Sequence, residues 1–204
     1  VKTIARATSL NIRIPQRAEG CSDRVFKAIF KDGLNSALFY SRPGLGKTTM
    51  LRDLTARISH EHRANILVLD TRNEIGGAGE VYNLGETVDV VKSCEKLPSL
   101  KSAIRAMRPE LIVTDELYGE NDTAAVKFAR DCDIAVVASS HVCDRDYLRS
   151  LPFDFFIKLN GINLEPEIYD KDFNTVCNNS AYDSCGGAAL GRKEKEGGGI
   201  RRTV

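Results

Sequence analysis

The chain has 204 residues, 42% of them apolar and 28% charged, and its formal net charge is +1. This length suits one compact domain with a sizeable core, and the near-neutral charge gives no global electrostatic case for binding nucleic acid or an anionic membrane. No run approaches the ~18 apolar residues of a membrane span, and the six cysteines lack the Cys-x-x-Cys spacing of a zinc site.

The N-terminal part is predicted to contain one strand and one helix. Residues 9–14 alternate apolar and polar side chains, which is typical of a half-buried strand, and Pro15 ends it. Residues 22–30 follow a helical pattern, and Ser22 is in place to cap that helix.

Five short apolar runs then alternate with helical patterns. The runs cover residues 37–40, 66–69, 111–113, 134–138 and 155–157, and helices are predicted near 48–59, 102–107 and 123–130. Runs of this kind are typical of parallel strands that are buried on both faces. The fold class is therefore predicted to be α/β, with three layers and a mostly parallel sheet between helices.

The C-terminal part is predicted to add little to this core. Residues 167–169 and 173–176 suit a small antiparallel hairpin at one edge of the sheet. From residue 178 onward the chain is polar and rich in glycine, which predicts a mostly disordered tail. Residues 1–177 are expected to form a single domain, with its α/β core at 36–160.

The strongest motif is segment 41–49, Ser-Arg-Pro-Gly-Leu-Gly-Lys-Thr-Thr, between the first predicted strand and a helix. Glycines let a backbone turn tightly and aim its N–H groups at phosphate oxygens, as in the Walker A loop of P-loop NTPases. Lys47 is expected to reach the β- and γ-phosphates of ATP, and Thr48 to ligate Mg²⁺. The predicted phosphate-binding residues are Pro43, Gly44, Leu45, Gly46, Lys47, Thr48 and Thr49. Ser41 stands where the pattern has its first glycine, so an ordinary turn before a helix is the alternative.

A second motif ends the third apolar run. Asp115 and Glu116 follow an apolar strand, as the metal-side acid of the Walker B motif does. Asp115 is expected to hold Mg²⁺, and Glu116 to act as the general base toward the attacking water. An Asp-Glu pair alone is also common in surface turns, and the position after Lys47, with one strand between, favours the functional interpretation.

The adjacent glutamate also predicts the strand order. P-loop proteins with this acid pair usually insert a strand between the two motif strands, which gives the order 5-1-4-3-2 for the five runs. The fourth run then lies in the centre, and Ser139 and His141 at its end are expected near the γ-phosphate. A capping histidine is the alternative for His141.

Further polar residues follow the second run. Glu74 is expected to support the catalytic water, and Arg72 to contact phosphate or a neighbouring subunit. A plain polar loop is the alternative. Arg72 and Arg105 are the leading candidates for an arginine finger, with Arg108 and Arg149 also in consideration, although each is an ordinary surface cation on the simpler interpretation.

Taken in order, these motifs resemble the stage III sporulation protein AA family of endospore-forming bacteria. The resemblance runs from about Ser9 to Leu159. It rests on segments 10–14, 44–49, 51–54, 70–75, 89–90, 94–96, 104–109, 112–116 and 139–141.

The resemblance implies a RecA-like ATPase related to the motors of type II and type IV secretion and of type IV pili. Such proteins act as rings, commonly hexamers, with ATP and Mg²⁺ between subunits. It also implies membrane-protein partners in a channel between mother cell and forespore. The expected location is the mother-cell cytoplasm, with peripheral contact at the membrane and no nucleic-acid partner.

Some positions depart from the family pattern. Thr87-Val88 stands where Arg-Thr is expected, and Val142 follows His141 where glycine is expected. A second hypothesis is therefore a nucleotide-gated binding module with weak hydrolysis. A third is a nucleic-acid-dependent ATPase, which the near-neutral charge and the low content of aromatic residues disfavour.

Overall fold

The computed structural model describes residues 18–77, 83–162 and 164–176. In chain order the elements are α1 Asp23–Val25, a π-helical segment Phe26–Phe30, β1 Ala37–Tyr40, α2 Lys47–His62, β2 Ile66–Asp70, β3 Val88–Lys92, α3 Lys96–Met107, β4 Leu111–Glu116, α4 Glu120–Asp131, β5 Ala135–Ser140, α5 Arg145–Arg149, β6 Phe155–Lys158 and β7 Glu167–Asp170. The strand predicted at 9–14 and the tail predicted from 178 lie outside the described residues.

The described strands form one sheet in the order β3-β2-β4-β5-β1-β6-β7. All neighbouring pairs are parallel except β6 and β7, which are antiparallel. The five apolar runs are β1, β2, β4, β5 and β6, so the predicted order 5-1-4-3-2 is confirmed, with β5 in the centre. The structure adds β3 on one edge, and β7 occupies the other.

Strand β3 was not predicted, because its sequence lacks a continuous apolar run. Its residues Val-Asp-Val-Val-Lys are half-buried or exposed, as expected for an edge strand that pairs with one neighbour. The hairpin predicted near the C-terminus is partly present. Its first arm is β7, whereas the second makes an isolated bridge between Thr175 and Tyr169.

Side chains alternate along the central strands and build a core on each face of the sheet. One core contains Phe39, Val68 and Val113 from the strands and packs against α2 and the segment before β1. The other contains Leu38, Leu69 and other strand residues and packs against α3, α4 and α5. The result is the predicted three-layer arrangement. Among the helices in the described part of the chain, none is both long and apolar enough to cross a membrane.

The first helix differs from its prediction. Only one α-helical turn forms before the π-helical segment, and Ser22 makes no side-chain cap. Instead the Ser22 hydroxyl donates to Asp53 Oδ2 at 2.6 Å, and the backbone N–H of Gly20 donates to Asp53 Oδ1 at 3.0 Å. The predicted cap is therefore wrong. The Ser22 hydroxyl donates to the charged carboxylate of Asp53 on α2, a strong acceptor, and accepts no hydrogen bond from the N–H groups of its own helix. This contact ties the N-terminal segment to the helix that follows the 41–49 loop.

Candidate functional site

A cleft of about 1100 Å³ opens at the carboxyl ends of the parallel strands. Ligands bind at this edge in open parallel sheets. The structure brings nearly all the predicted site residues to its lining: Pro43, Gly44, Leu45, Gly46, Lys47, Thr48, Thr49, Arg72, Glu74, Asp115, Glu116, Ser139 and His141. Arg105 is the exception, because it is exposed in the last turn of α3 and does not line the cleft.

The loop before α2 depends on two glycines. Gly44 has φ of 81° and Gly46 has φ of 89°, in the left-handed region that strains side-chain-bearing residues. No atom lies within 4 Å of a Cβ built at either position, so the backbone angle, not crowding, favours glycine. Gly46 directly precedes α2, whose free N–H groups and partial positive charge face the cleft.

Lys47 is held inside this loop. Its side chain is buried, and Nζ donates to the Ser41 carbonyl at 2.9 Å, the Ser41 hydroxyl at 3.1 Å and the Arg42 carbonyl at 3.2 Å. Ser41, at the position of the expected first glycine, therefore contributes an extra oxygen to the ammonium group. Burial lowers the pKa of Lys47 to about 8, while electrostatic interaction with Glu116 acts in the opposite direction.

His141 connects Lys47 to the general-base candidate. Its Nδ1 lies 2.8 Å from Lys47 Nζ, and its Nε2 lies 3.4 Å from Glu116 Oε1. Nδ1 also lies 3.2 Å from the Ser41 carbonyl, which can only accept, but the Lys47 ammonium is closer and can only donate. We therefore assign Nδ1 as the acceptor and the ring proton to Nε2, facing Glu116. The second oxygen of Glu116 pairs with Arg72 Nη1 at 2.7 Å. Each carboxylate oxygen of Glu116, the predicted base, therefore lies close to a nitrogen donor.

Asp115 has one oxygen that is satisfied and one that is not. Oδ2 accepts from the Thr71 hydroxyl at 2.5 Å and from the Arg72 backbone N–H at 3.1 Å. Oδ1 is buried and accepts no hydrogen bond from the described residues, and its nearest recorded cation is Lys96 Nζ at 3.3 Å. A buried carboxylate oxygen without a hydrogen bond is what a Mg²⁺ ligand would offer.

The wider surroundings fit Mg²⁺ held together with a nucleotide. No group of three or more His, Cys, Asp and Glu side chains in the described ranges could hold a metal ion by itself. Mg²⁺ in nucleotide sites uses one or two protein ligands plus phosphate oxygens and water. Asp115 and Thr48 on the same cleft are therefore a suitable donor pair for this ion.

An irregularity in β4 helps bring both acids to the cleft. In a regular strand, consecutive side chains point to opposite faces. Here Val113 pairs with Val137 and Glu116 with Ser139, so β4 contains one more residue than β5 over this stretch. Bulges of this kind redirect side chains next to active sites. Asp115 and Glu116 both line the cleft as a result.

The turn after β2 is organised by a fully buried carboxylate. Asp70 accepts the backbone N–H groups of Glu74 at 2.9 Å, Ile75 at 3.0 Å and Gly76 at 2.8 Å. From α2, Arg52 donates through Nε and Nη2 to the Glu74 carbonyl at 3.0 and 2.9 Å. Asp70 and Arg52 thus fix the backbone that carries Glu74 into the cleft.

Sequence reasoning missed Lys96 as a site residue. This lysine is the first residue of α3, is buried, and contacts Asp115, Asp122 and the Glu116 carbonyl. A cation in the first turn of a helix is opposed by the helix dipole, and this is the signal that could have drawn attention to it. Thr71 and Arg52 were also missed, because only folding brings them to Asp115 and Glu74.

Comparison with known proteins identifies the family. The model of the family described as "Sporulation stage III, protein AA" matches residues 1–158. The chain belongs to the stage III sporulation protein AA family. Stage III sporulation protein AA of Bacillus subtilis is 30% identical to it over 206 aligned positions, which cover 91% of this chain and 67% of that relative. The resemblance inferred from the motifs is thereby confirmed.

Solved structures show the fold of this family member. The Legionella pneumophila ATPase DotB matches with a TM-score of 0.57 at 15% identity, covering 77% of this chain and 52% of DotB. The pilus retraction motor PilT, solved with bound ADP, matches with a TM-score of 0.57 at 17% identity, covering 79% of this chain and 55% of PilT. The chain therefore has the P-loop fold of secretion ATPases and spans about half the length of these proteins.

Proposed function

We propose that this stage III sporulation protein AA family member binds ATP with Mg²⁺ and hydrolyses it. The observation that carries the proposal is the line of contacts from Lys47 through His141 to Glu116, in the same cleft as the unsatisfied oxygen of Asp115. A phosphate-binding lysine, a metal-side acid and a base that lie together are the parts that phosphoryl transfer to water requires.

Each residue has a role in this proposal. The 43–49 backbone and Lys47 bind the phosphates, and Thr48 and Asp115 would hold Mg²⁺. When bound, Mg²⁺ neutralises charge on the phosphate oxygens. Glu116 orients the attacking water and accepts its proton, and Glu74 supports that water.

His141 and Arg72 are proposed to respond to the γ-phosphate. Both pair with Glu116, and both line the cleft near Lys47. A phosphate group would attract the Arg72 guanidinium and the Lys47 ammonium away from their present oxygen partners. Release of Arg72 would free one carboxylate oxygen of Glu116 to act as the base.

Arg105 lies outside the cleft lining. Its role as an arginine finger that acts on a neighbouring subunit stays a prediction.

The cellular role is proposed from the family. We infer a motor or assembly ATPase that works as a ring on a secretion-like channel made during sporulation. Its partners would be a second copy of itself and membrane proteins of that channel, with the chain on the cytoplasmic side of the mother-cell membrane. Residues 1–177 would form the ATPase domain, and residues from 178 a disordered tail.

Steady-state ATP hydrolysis measured against protein concentration tests this proposal. Activity per subunit should rise with concentration if the site is completed between subunits. The Lys47→Ala variant should show no activity, because the loop loses the ammonium group proposed to bind the terminal phosphates. Equal activity in the variant would refute the assignment of this cleft.

One observation favours a second candidate, a nucleotide-gated binding module with slow hydrolysis. Glu116 is paired on both oxygens, which weakens it as a base until Arg72 or His141 moves. A Glu116→Gln variant separates the two functions. For an ATPase, turnover should fall by about 10²-fold or more while ATP binding persists. Turnover in the wild type that is already as slow as in the variant would favour the binding module.

A further inference from the structure

Lys96 is a buried cation that lies beside Asp115, a residue of the cleft lining, and that the proposed chemistry does not use. Its side chain is 5% exposed. Nζ lies 3.3 Å from Asp115 Oδ1 and 3.1 Å from Asp122 Oδ2, and it also donates to the Glu116 carbonyl. Buried lysines are rare unless their charge is paired. The three oxygen partners therefore stabilise the charged Lys96 side chain at this buried position.

The two carboxylates around Lys96 differ in what else they contact. Asp122, in the first turn of α4, also accepts the Tyr118 backbone N–H at 2.6 Å, which fixes the turn after β4. Asp115 Oδ1 accepts no hydrogen bond from the part of the chain that the structure describes, and the nearby Lys96 ammonium compensates its charge. Asp122 is therefore the anchor of Lys96, and Asp115 is the partner that another cation can take.

We propose that Lys96 is a positioning residue that competes with Mg²⁺ for Oδ1 of Asp115 and so sets the Mg²⁺ concentration needed to hold a nucleotide. This inference rests on the proposed function, because it needs a nucleotide and Mg²⁺ in the same cleft. A cation adjacent to a metal ligand repels the incoming ion, and repulsion is strong where water is excluded. Asp122 and the Glu116 carbonyl keep Lys96 paired when Asp115 turns to the metal.

Two substitutions should shift the Mg²⁺ requirement in opposite directions. Lys96→Met keeps the length of the side chain and removes the competing charge, so less Mg²⁺ should be needed, by about tenfold. Asp122→Asn removes the anchoring charge, so Lys96 should bind Asp115 more strongly and more Mg²⁺ should be needed. Lys96→Arg keeps the positive charge and should resemble the wild type more closely than Lys96→Met does.

The experiment is a Mg²⁺ titration of the binding of a fluorescent ATP analogue to the full chain, with thermal unfolding recorded alongside. Lys127→Met, an exposed lysine on α4, is the matched control and should leave the Mg²⁺ midpoint unchanged. If Lys96 and Asp122 had a purely structural role, Lys96→Met and Asp122→Asn would both lower the unfolding temperature without separating their Mg²⁺ midpoints. Midpoints that stay equal, or move in the same direction, overturn the inference.

The outcomes also separate this inference from the proposed function. Binding in the wild type that is lost in Lys47→Ala, with unchanged midpoints in the Lys96 and Asp122 variants, refutes only the role of Lys96. No binding of the analogue to the wild type at any Mg²⁺ concentration refutes the proposed function, and the inference fails with it. If Lys96→Met does not fold, the midpoint of Asp122→Asn decides alone.

Discussion

At the scale of single residues, burial changes how readily one residue of the cleft lining is protonated. Lys47 illustrates this, because its ammonium group is surrounded by loop carbonyls and has little contact with water. Burial disfavours the charged form of a lysine and lowers its pKa, here to about 8. A phosphate ligand favours the charged form. Nucleotide binding should therefore take up a proton when the pH is above this pKa.

We predict that nucleotide affinity falls as the pH rises through about 8. Below that pH, Lys47 is already charged and the nucleotide binds with its full affinity. Above it, Lys47 must take up a proton when the nucleotide binds, so the affinity falls by about tenfold per pH unit. Dissociation constants of an ATP analogue at pH 7 and pH 9 should thus differ by about tenfold.

The matched control for this prediction is Lys47→Arg. An arginine stays charged over the whole range, so the pH dependence should disappear even if affinity is lower. The same slope in both proteins would show that another group titrates.

At the scale of elements, the turn that follows β2 shows how a buried side chain determines backbone geometry. Asp70 accepts three backbone N–H groups, and Arg52 on α2 binds the Glu74 carbonyl. The helix after the 41–49 loop is thereby connected to the loop that carries Glu74. We expect displacement of either one to shift the other, because Arg52 joins them directly.

We expect Asp70→Asn to destabilise the protein by roughly 1–3 kcal/mol. An amide has one oxygen and one NH₂ group, so at least one of the three N–H donors at residues 74–76 would face another donor. Urea unfolding measures the change. Asp89→Asn on the exposed side of β3 is the control and should alter stability by less than about 0.5 kcal/mol. Equal effects of the two variants would contradict the role given to Asp70.

At the scale of the whole molecule, the cleft joins parts of the chain that are far apart in sequence. Its lining includes residues before α1 and the connection between β6 and β7, as well as the strand ends. Arg24 of α1 and Glu165 of the connection between β6 and β7 form an ion pair that joins segments near the two ends of the described chain at this cleft. A ligand that contacts several such segments should stabilise the folded state as a unit, because it binds the native arrangement and not the unfolded chain.

We predict that Mg²⁺ and ATP raise the unfolding temperature. At a free ligand concentration of about 100 times the dissociation constant, the gain is about 2.7 kcal/mol. For a chain of 204 residues this corresponds to a rise of roughly 5–10 °C. Thermal unfolding followed by circular dichroism provides the measurement. The Lys47→Ala variant should show little or no rise, and an equal rise would indicate binding at another site.

Most of the sheet could be predicted because its strands are strong local patterns. Continuous apolar runs identify β1, β2, β4, β5 and β6, and the acid pair at the end of β4 predicts their order. β3 and α5 could not be predicted in this way. Both are short, and the half-buried side chains of β3 carry no clear period, so their formation depends on the elements they pack against.

Local sequence patterns were enough to predict the fold class, the glycine-containing 41–49 loop and the two acids at the end of β4, because each is encoded in a short contiguous segment whose geometry follows from local rules. The pairing of these groups emerges only when the elements pack together. The extra residue in β4, the bracketing of Glu116 by Arg72 and His141, and the burial of Lys96 beside Asp115 all join residues from different elements. Such contacts depend on the register of neighbouring strands and on the packing of helices over them, which no local pattern specifies.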